Sequence, residues 1–269
     1  MAGTRVQSDP SSGGGPQRAF DQNTVLGKAV LVLHAFTADD LSVSLAELAR
    51  RTHLAKGTLH RIANGLVATG LLDRDGTDYR LSAELFQLGM RASIERSLIE
   101  IATPFLEDLY EHTHETVHLG VRNGLDVVYL SKIGGHKQVV VASRLGGRMP
   151  LHCTAIGKVL LAYAEPDVQR QVFEGGLVRR APRTITVPTV LRAQLDQIAE
   201  TGLAFEYEES TVGIGCVAAP VTDAGGHVVA AVSVTGPIGR FNPAQSRGQV
   251  RAAAAGISAT LTRRTELDR

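Results

Sequence analysis

Between Arg50 and Arg61 the chain places Arg50, Arg51, Lys56 and Arg61 with no acidic residue among them, although the whole 269-residue molecule carries a net charge of only +1. A local excess of cations in a nearly neutral protein marks a patch that meets an anion, and nucleic acid is the anion best suited to cations gathered on one helix. Lys56, Thr58, His60 and Arg61 fall at the start of a predicted helix. Lys and Arg reach phosphates or guanine edges, and Thr reaches a phosphate or a thymine methyl. Arg74 and Arg80 lie in two short runs flanking Asp75-Gly76-Thr77-Asp78, a hairpin signal, where a basic side chain would meet backbone or minor groove. An ordinary helical bundle with a solvated charged face is the plain alternative. It would need neither a hairpin straight after the helix pair nor basic and hydroxyl groups at one helix N-terminus.

A second set of residues suits a small ligand. Cys153-Thr154-Ala155 stands at a strand-to-helix junction, where backbone N–H groups attract anions. Cys216 lies near the start of a predicted strand, and Ser233 and Thr235 share one face of another. Small hydroxyls and a thiol can hydrogen-bond a carboxylate or a polyol and leave room for it. Singly, each has a plainer reading: a cysteine in a strand is usually packing. Together at one end of a sheet they make a pocket. His152 beside Cys153 raises a nucleophile and base, but adjacent residues seldom face one substrate and no orienting acid accompanies them. His112, His114 and His118 raise metal spacing, although surface or core histidines explain them as well. Glu206, Glu208 and Glu209 cluster, which a solvated strand face would equally produce. No catalytic residue, metal or cofactor is expected.

The elements that position these residues follow from local signals. Residues 1–21 are rich in Gly, Ser, Pro and Gln and are expected to be a disordered tail. Thr24 to Phe36 is apolar at helical spacing. Ser44 to Thr52 opens with Ser44 and Glu47 in capping-box spacing, and Lys56 to Thr69 follows after a tight turn, ended by Gly70. Leu71–Arg74 and Tyr79–Leu81 make the ribbon. This is a winged helix-turn-helix over residues 22–82. A connector helix is expected over 83–98, offering Leu85, Leu88 and Met90 to a partner, then a helix from about Ser97 to Thr113 that breaks or kinks near Ala102–Thr103, or else starts at Pro104. From Glu115 the pattern becomes α/β over 99–265. Strands are predicted at Thr116–Val121, Val127–Ile133, Val139–Ser143, Ala204–Glu208, Gly215–Val221 and Val228–Val234. Helices are predicted after His152, over Val190–Glu200, and from Asn242 to about Arg263, with Asn242 as N-cap. Two cysteines are too few for a disulfide framework, and neither a signal peptide nor a membrane-length apolar run is seen, so a cytoplasmic protein is expected.

Both halves, in this order, resemble the IclR family of bacterial transcriptional regulators. The resemblance is carried by SLAELARRTHLAKGTLHRIANGLVATGLLDRD, ETVHLGV with DVVYLSKI, RMPLHCTAIGKVLLA, GLAFEYEESTVGIGCVAAPV and VVAAVSVTGPIGRF, spanning about Thr24 to Thr262. It implies an α+β fold: an N-terminal winged helix-turn-helix, a helical connector and a C-terminal GAF-like effector domain with a curved antiparallel sheet. It implies a homodimer or a dimer of dimers on a palindromic double-stranded promoter site, and control by a small catabolic metabolite, with repression the expected sign. The helix and wing pattern itself assigns DNA contact to Ser44, Lys56, Thr58, His60, Arg61, Arg74 and Arg80. The resemblance carries effector contact to Thr154, Ala155, Glu206, Cys216, Ser233 and Thr235. Glu206 stands where Asp is frequent and Thr235 where Ser is frequent, and both reshape the pocket. A metabolite sensor acting through protein contacts, and less so a cysteine-dependent enzyme, are the alternatives.

Overall fold

The N-terminal unit is built from local caps. Thr24 closes the start of α1 (Val25–His34) by accepting the Gly27 N–H, and Ser44 does the same for α2 (Leu45–Thr52) by accepting the Glu47 N–H. Only half of the capping box forms, because the Glu47 carboxylate turns to Arg50 and Arg51 instead of back to Ser44. His53 ends α2 in the left-handed region and the chain turns into α3 (Lys56–Ala68). Gly70, at φ +74°, turns the chain into the wing, β1 (Leu72–Asp75) paired with β2 (Asp78–Leu81) around a two-residue turn. Leu48, Leu59, Ile62, Ala63, Leu66, Leu72 and Tyr79 form the core of this unit with Val32. Each fully buried Leu contributes about 1.5–3 kcal/mol, so packing rather than propensity holds these short helices. This computed structural model describes residues 21–91, 93–134 and 143–267. The expected tail, apart from Asp21, and the strand expected at 139–143, apart from Ser143, lie outside the described residues.

The expected connector is shorter than the sequence suggests. α4 (Ala83–Gly89) ends at Met90, and α5 (Ser93–Thr113) then runs unbroken through Pro104. Proline removes one helix hydrogen bond and clashes with the preceding turn, at about 3 kcal/mol. The face of α5 carrying Leu98, Ile101, Ala102, Leu106 and Leu109 is buried, and that burial offsets the cost.

The C-terminal unit is an antiparallel sheet ordered β5 (Arg148–Pro150), β4 (Asp126–Ile133), β3 (Thr116–Asn123), β8 (Val228–Pro237), β7 (Ile214–Thr222) and β6 (Ala204–Tyr207). Alternation along β7 divides its faces. Val217, Ala219 and Val221 pack toward α5 and α9 (Arg247–Leu267), whereas Cys216 and Ala218 pack toward α6 (Ala155–Ala162), α7 (Pro166–Glu174) and α8 (Pro188–Thr201). The strand β5 and the helix α7 had no sequence expectation. α9 starts later than expected: Asn242 Oδ1 accepts the Ala244 N–H in a local turn, and regular helix begins only at Arg247.

Candidate nucleic-acid interface and ligand cavity

On α3, Leu59, Ile62, Ala63 and Leu66 face the core, which turns Lys56, His60 and Arg61 to solvent and leaves Thr58 half-buried. Lys56 and Arg61 make no ion pair among the described residues, so both remain available to an anion. Arg50 and Arg51 do not. Arg50 forms a two-point contact with Glu47 at 2.6 and 2.8 Å, and Arg51 is held by Asp40 at 2.5 Å, by Glu47 and by the Ala35 carbonyl. The Arg51 guanidinium holds the Asp40 carboxyl down at about 2. The cationic run of the sequence therefore divides: Arg51 is held in the fold, Arg50 is exposed but paired with Glu47, and Lys56 and Arg61 are exposed on α3 without an ion pair among the described residues. Arg74 lies over the Tyr79 ring at 5.1 Å and donates to Asn64 Oδ1 at 2.7 Å, tying the wing to α3. Asn64, one turn beyond His60 and 3.3 Å from its ring, belongs to this surface and had no sequence signal beyond its place on the helix. Arg80 reaches Asp73 at 3.2 Å on the exposed wing. The Ser44 hydroxyl oxygen is engaged as the cap of α2, which leaves its O–H to donate outward.

In the C-terminal unit all six expected ligand residues converge. Thr154, Ala155, Glu206, Cys216, Ser233 and Thr235 line one cavity with His118, Tyr129, Ser143 and Met149. Its free space is about 30 Å³, room for about two water molecules. Antiparallel pairing assembles it: Cys216 lies opposite Thr235 and Glu206 opposite Cys216, while His118 lies opposite Ser233. The Thr235 hydroxyl donates to Cys216 Sγ at 3.0 Å. His118 Nε2 is 2.7 Å from Ser143 Oγ, and its Nδ1 is 3.5 Å from both Ser233 and Thr235 hydroxyls. Burial, with Lys132 nearby, pushes His118 down to about 3, so its ring is neutral and can donate at one nitrogen and accept at the other. The α6 N-terminus closes one side. Thr154 caps it by accepting the Gly157 N–H at 2.9 Å, and a side chain at Gly157 would run into the Leu151 carbonyl. The Ala155 and Ile156 N–H groups sit in the first turn, where a helix supplies no partner.

Burial decides what the histidines and cysteines do. His118 is a wall of the cavity, whereas His112 ends α5 and His114 stands apart in the following turn. No group of three or more metal-binding side chains occurs among the described residues. Cys153 and Cys216 are buried, and burial pushes each thiol up to about 12. Both stay protonated, which is the wrong state for a nucleophile. His152 is spent on the Val178 carbonyl at 2.9 Å.

Glu206 and Glu209 do not form a solvated face: they are 2% and 5% exposed. Glu206 Oε1 accepts the Glu209 and Ser210 N–H groups at 2.7 and 3.0 Å. Burial nevertheless pushes the Glu206 carboxyl up to about 7, against the smaller effect of those bonds. Behind it Lys158 is fully buried and donates to Glu209 Oε1 at 2.6 Å and to Gln194 Oε1 at 2.8 Å. Lys158, His118 and Tyr129 went unpredicted because their partners lie on distant strands and loops.

An exposed basic helix on a winged helix-turn-helix, followed in one chain by a sheet domain with a cavity lined by hydroxyls, a histidine and a carboxyl, defines a DNA-binding regulator that takes a ligand. Residues 25–76 match the IclR helix-turn-helix domain and residues 90–259 match the bacterial transcriptional regulator IclR C-terminal domain. The chain belongs to the IclR family of bacterial transcriptional regulators. It is 36% identical over 207 residues to the HTH-type transcriptional regulator KdgR of Escherichia coli K12, covering 76% of this chain and 79% of that protein. It is 30% identical over 243 residues to the HTH-type transcriptional repressor AllR of the same strain, covering 88% and 89%. Among solved structures, an IclR homolog of Microbacterium hydrocarbonoxydans complexed with 4-hydroxybenzoate superposes with a TM-score of 0.82 at 29% identity, covering 88% of this chain and 99% of that one. The protein is thus a helix-turn-helix transcriptional regulator and not an enzyme. No described helix is long and apolar enough to cross a membrane.

Proposed function

We propose that this regulator represses from a palindromic promoter site in the cytoplasm, and that a small metabolite in the His118–Glu206–Thr235 cavity sets its operator affinity. Residues 22–82 read DNA, 83–98 connect, and 99–265 hold the ligand. The observation that carries the reading is the convergence of Thr154, Ala155, Glu206, Cys216, Ser233 and Thr235 on one cavity. Repression follows the sign of the relative AllR. The effector is a small carboxylate or polyol. With no Lys or Arg among the lining residues, a carboxylate end is met by the α6 N-terminus and the hydroxyls. The relative's 4-hydroxybenzoate is a carboxylate with a hydroxyl at its far end, and it makes a sensible first compound to try. The regulator acts as a homodimer or a dimer of dimers. α4 supports this: it has no buried residue, and Phe86, Leu88 and Met90 are 70%, 44% and 41% exposed. Two protomers then read half-sites about 34 Å apart or a multiple of it.

Ligand state reaches the DNA-reading unit by two routes. The connector is one. The other is a short path from the cavity wall: Ser143, on His118, is followed by Arg144, which donates to Asp39 of the α1–α2 loop at 2.5 Å. Asp40, next in line, holds Arg51 of α2. The Arg144–Asp39 pair is exposed, a setting worth about 0.2–1 kcal/mol. Replacing Asp39 by alanine is therefore expected to change the ratio of operator affinities with and without effector by about 1.4- to 5-fold, with effector affinity itself unchanged. Equal ratios in wild type and variant would remove this path.

Glu206 makes carboxylate binding depend on pH. Lys158 and Glu209 stand behind it and the protonated Cys216 beside it. A second carboxylate in the cavity favours the neutral form of Glu206, so binding takes up a proton above the unliganded value of about 7. Affinity for a carboxylate effector is expected to fall about tenfold between pH 6 and pH 8. Glu206→Gln should flatten that profile in calorimetric titrations. A wild-type profile that is flat, or that rises with pH, would place the ligand elsewhere.

A further inference from the structure

A larger cleft lies at the opposite edge of β6. α8 and α9 stand on opposite faces of the sheet, and between them the outer edge of β6 closes a space of about 440 Å³. That is within the range of about 300–1,000 Å³ of small-molecule sites, whereas the first cavity as it stands holds about two waters. Phe205 and Tyr207, two residues apart on one face of β6, have rings within 11° of parallel and 6.4 Å between centroids. The stacked pair makes an apolar aromatic wall with Ile198 and Leu203. Arg247 and Arg251, one turn apart on α9, line the other side. Arg251 is pinned across the mouth by its bond to the Thr201 carbonyl at 2.9 Å, and Arg247 forms no ion pair among the described residues. The single acidic residue in the lining is Glu209, whose charge Lys158 already answers at 2.6 Å. The cleft is therefore positive, aromatic on one side and large enough for one ring.

We infer that the α8–α9–β6 cleft is a second ligand site, for a small planar aromatic carboxylate held by Arg247 and Arg251 against the Phe205–Tyr207 wall. Guanidinium groups match a carboxylate with paired donors, and a ring gains from stacking on the aromatic face. The charge of the cleft is the argument against an uncharged peptide strand adding to the β6 edge. Glu209 lines this cleft and Glu206 the first cavity, and the Glu209 N–H donates to Glu206 Oε1 at 2.7 Å, so the two spaces adjoin but have no lining residue in common.

The test uses the full chain and three probes: benzoate, uncharged benzamide and non-planar cyclohexanecarboxylate. Binding is read by ligand-observed NMR and calorimetry, without DNA, so it stands whatever controls the operator. Benzoate is expected to bind more than tenfold better than either other probe. Arg247→Ala/Arg251→Ala should lower its affinity more than tenfold, and Ser233→Phe, which fills the first cavity, should leave it unchanged. Both arginines are on the surface, so the double variant should fold as wild type, and Arg251→Lys should keep part of the affinity. Loss of benzoate binding in Ser233→Phe with retention in the arginine variant overturns the proposal, as does equal binding of benzamide or no binding of benzoate. A change of oligomeric state in the arginine variant would also overturn it, by making the cleft a contact between copies of this chain.

Discussion

Replacing Lys158 by methionine is expected to destabilise the C-terminal domain by about 3–5 kcal/mol near pH 8, the cost of leaving one member of a buried pair uncompensated. Lys158 is fully buried and its amine is spent on Glu209 and Gln194. Glu209 Oε2 has no hydrogen-bond partner, so the carboxyl depends on the amine at Oε1. Burial already holds the Glu209 carboxyl above its ordinary value of 4.5 despite the nearby ammonium, and losing Lys158 raises it further. The stability of a carboxyl raised in the fold is fully present below its unfolded pKa and is lost as pH rises through its folded pKa. The penalty in Lys158→Met should therefore shrink as the pH falls from 8 toward 5, because protonation of the raised Glu209 carboxyl removes the stranded charge. Adding Glu209→Gln should recover most of the loss, because it removes the stranded charge. Denaturant unfolding at the two pH values measures all of this. A loss below about 1 kcal/mol, equal at both pH values, would mean that water reaches the pair and that the floor beneath Glu206 is not dry.

Arg61→Ala is expected to lower affinity for the operator by about 5- to 150-fold, the equivalent of 1–3 kcal/mol for a lost base contact. Arg61 is exposed on α3 and has no ion pair among the described residues, so its removal takes nothing from the core. Thermal stability and ligand binding in the C-terminal domain should be unchanged. Arg51→Ala should behave otherwise. It breaks the bonds to Asp40, Glu47 and the Ala35 carbonyl and so should lower the stability of the N-terminal unit along with DNA binding. The contrast separates a residue that touches DNA from one that holds the domain that does. Full operator affinity in Arg61→Ala would remove α3 from the recognition role.

The N-terminal unit was legible because its signals are local. Ser44 caps α2 three residues before Glu47, Gly70 takes a positive φ after α3, and Asp75 to Asp78 makes the wing turn within four residues. Charge was less legible. The sequence shows four cations in a row of twelve residues, but only folding brings Asp40 to Arg51 from eleven positions away. In the C-terminal unit the spacing of Ser233 and Thr235 put them on one face, as β8 has them. His118 could not be placed beside them from sequence, since it reaches Ser233 across 115 positions through the β3–β8 pairing. Its spacing from His112 and His114 suggested a different chemistry that the turn at His114 dissolves. The burial of Glu206 and Glu209 was hidden for the same reason: three carboxylates in four residues look solvated until α6 brings Lys158 beneath them. A helix break at Pro104 and an N-cap at Asn242 were misread in the opposite sense. Each is a strong local signal, and tertiary packing of α5 and a local turn before α9 override them.

The most direct measurement is binding of the purified protein to duplex DNA from upstream of its own gene, titrated over salt, with and without small hydroxy acids such as 4-hydroxybenzoate. A ligand-responsive repressor should bind saturably and prefer one sequence. Its log affinity should fall with log salt by about 0.9 for each phosphate neutralised. A compound that fills the cavity should shift that affinity by about 5- to 150-fold in wild type and leave Ser233→Phe unmoved. Affinity indifferent to sequence and salt, or a ligand shift that persists in Ser233→Phe, would contradict a DNA-reading α3 controlled from the His118–Glu206–Thr235 cavity.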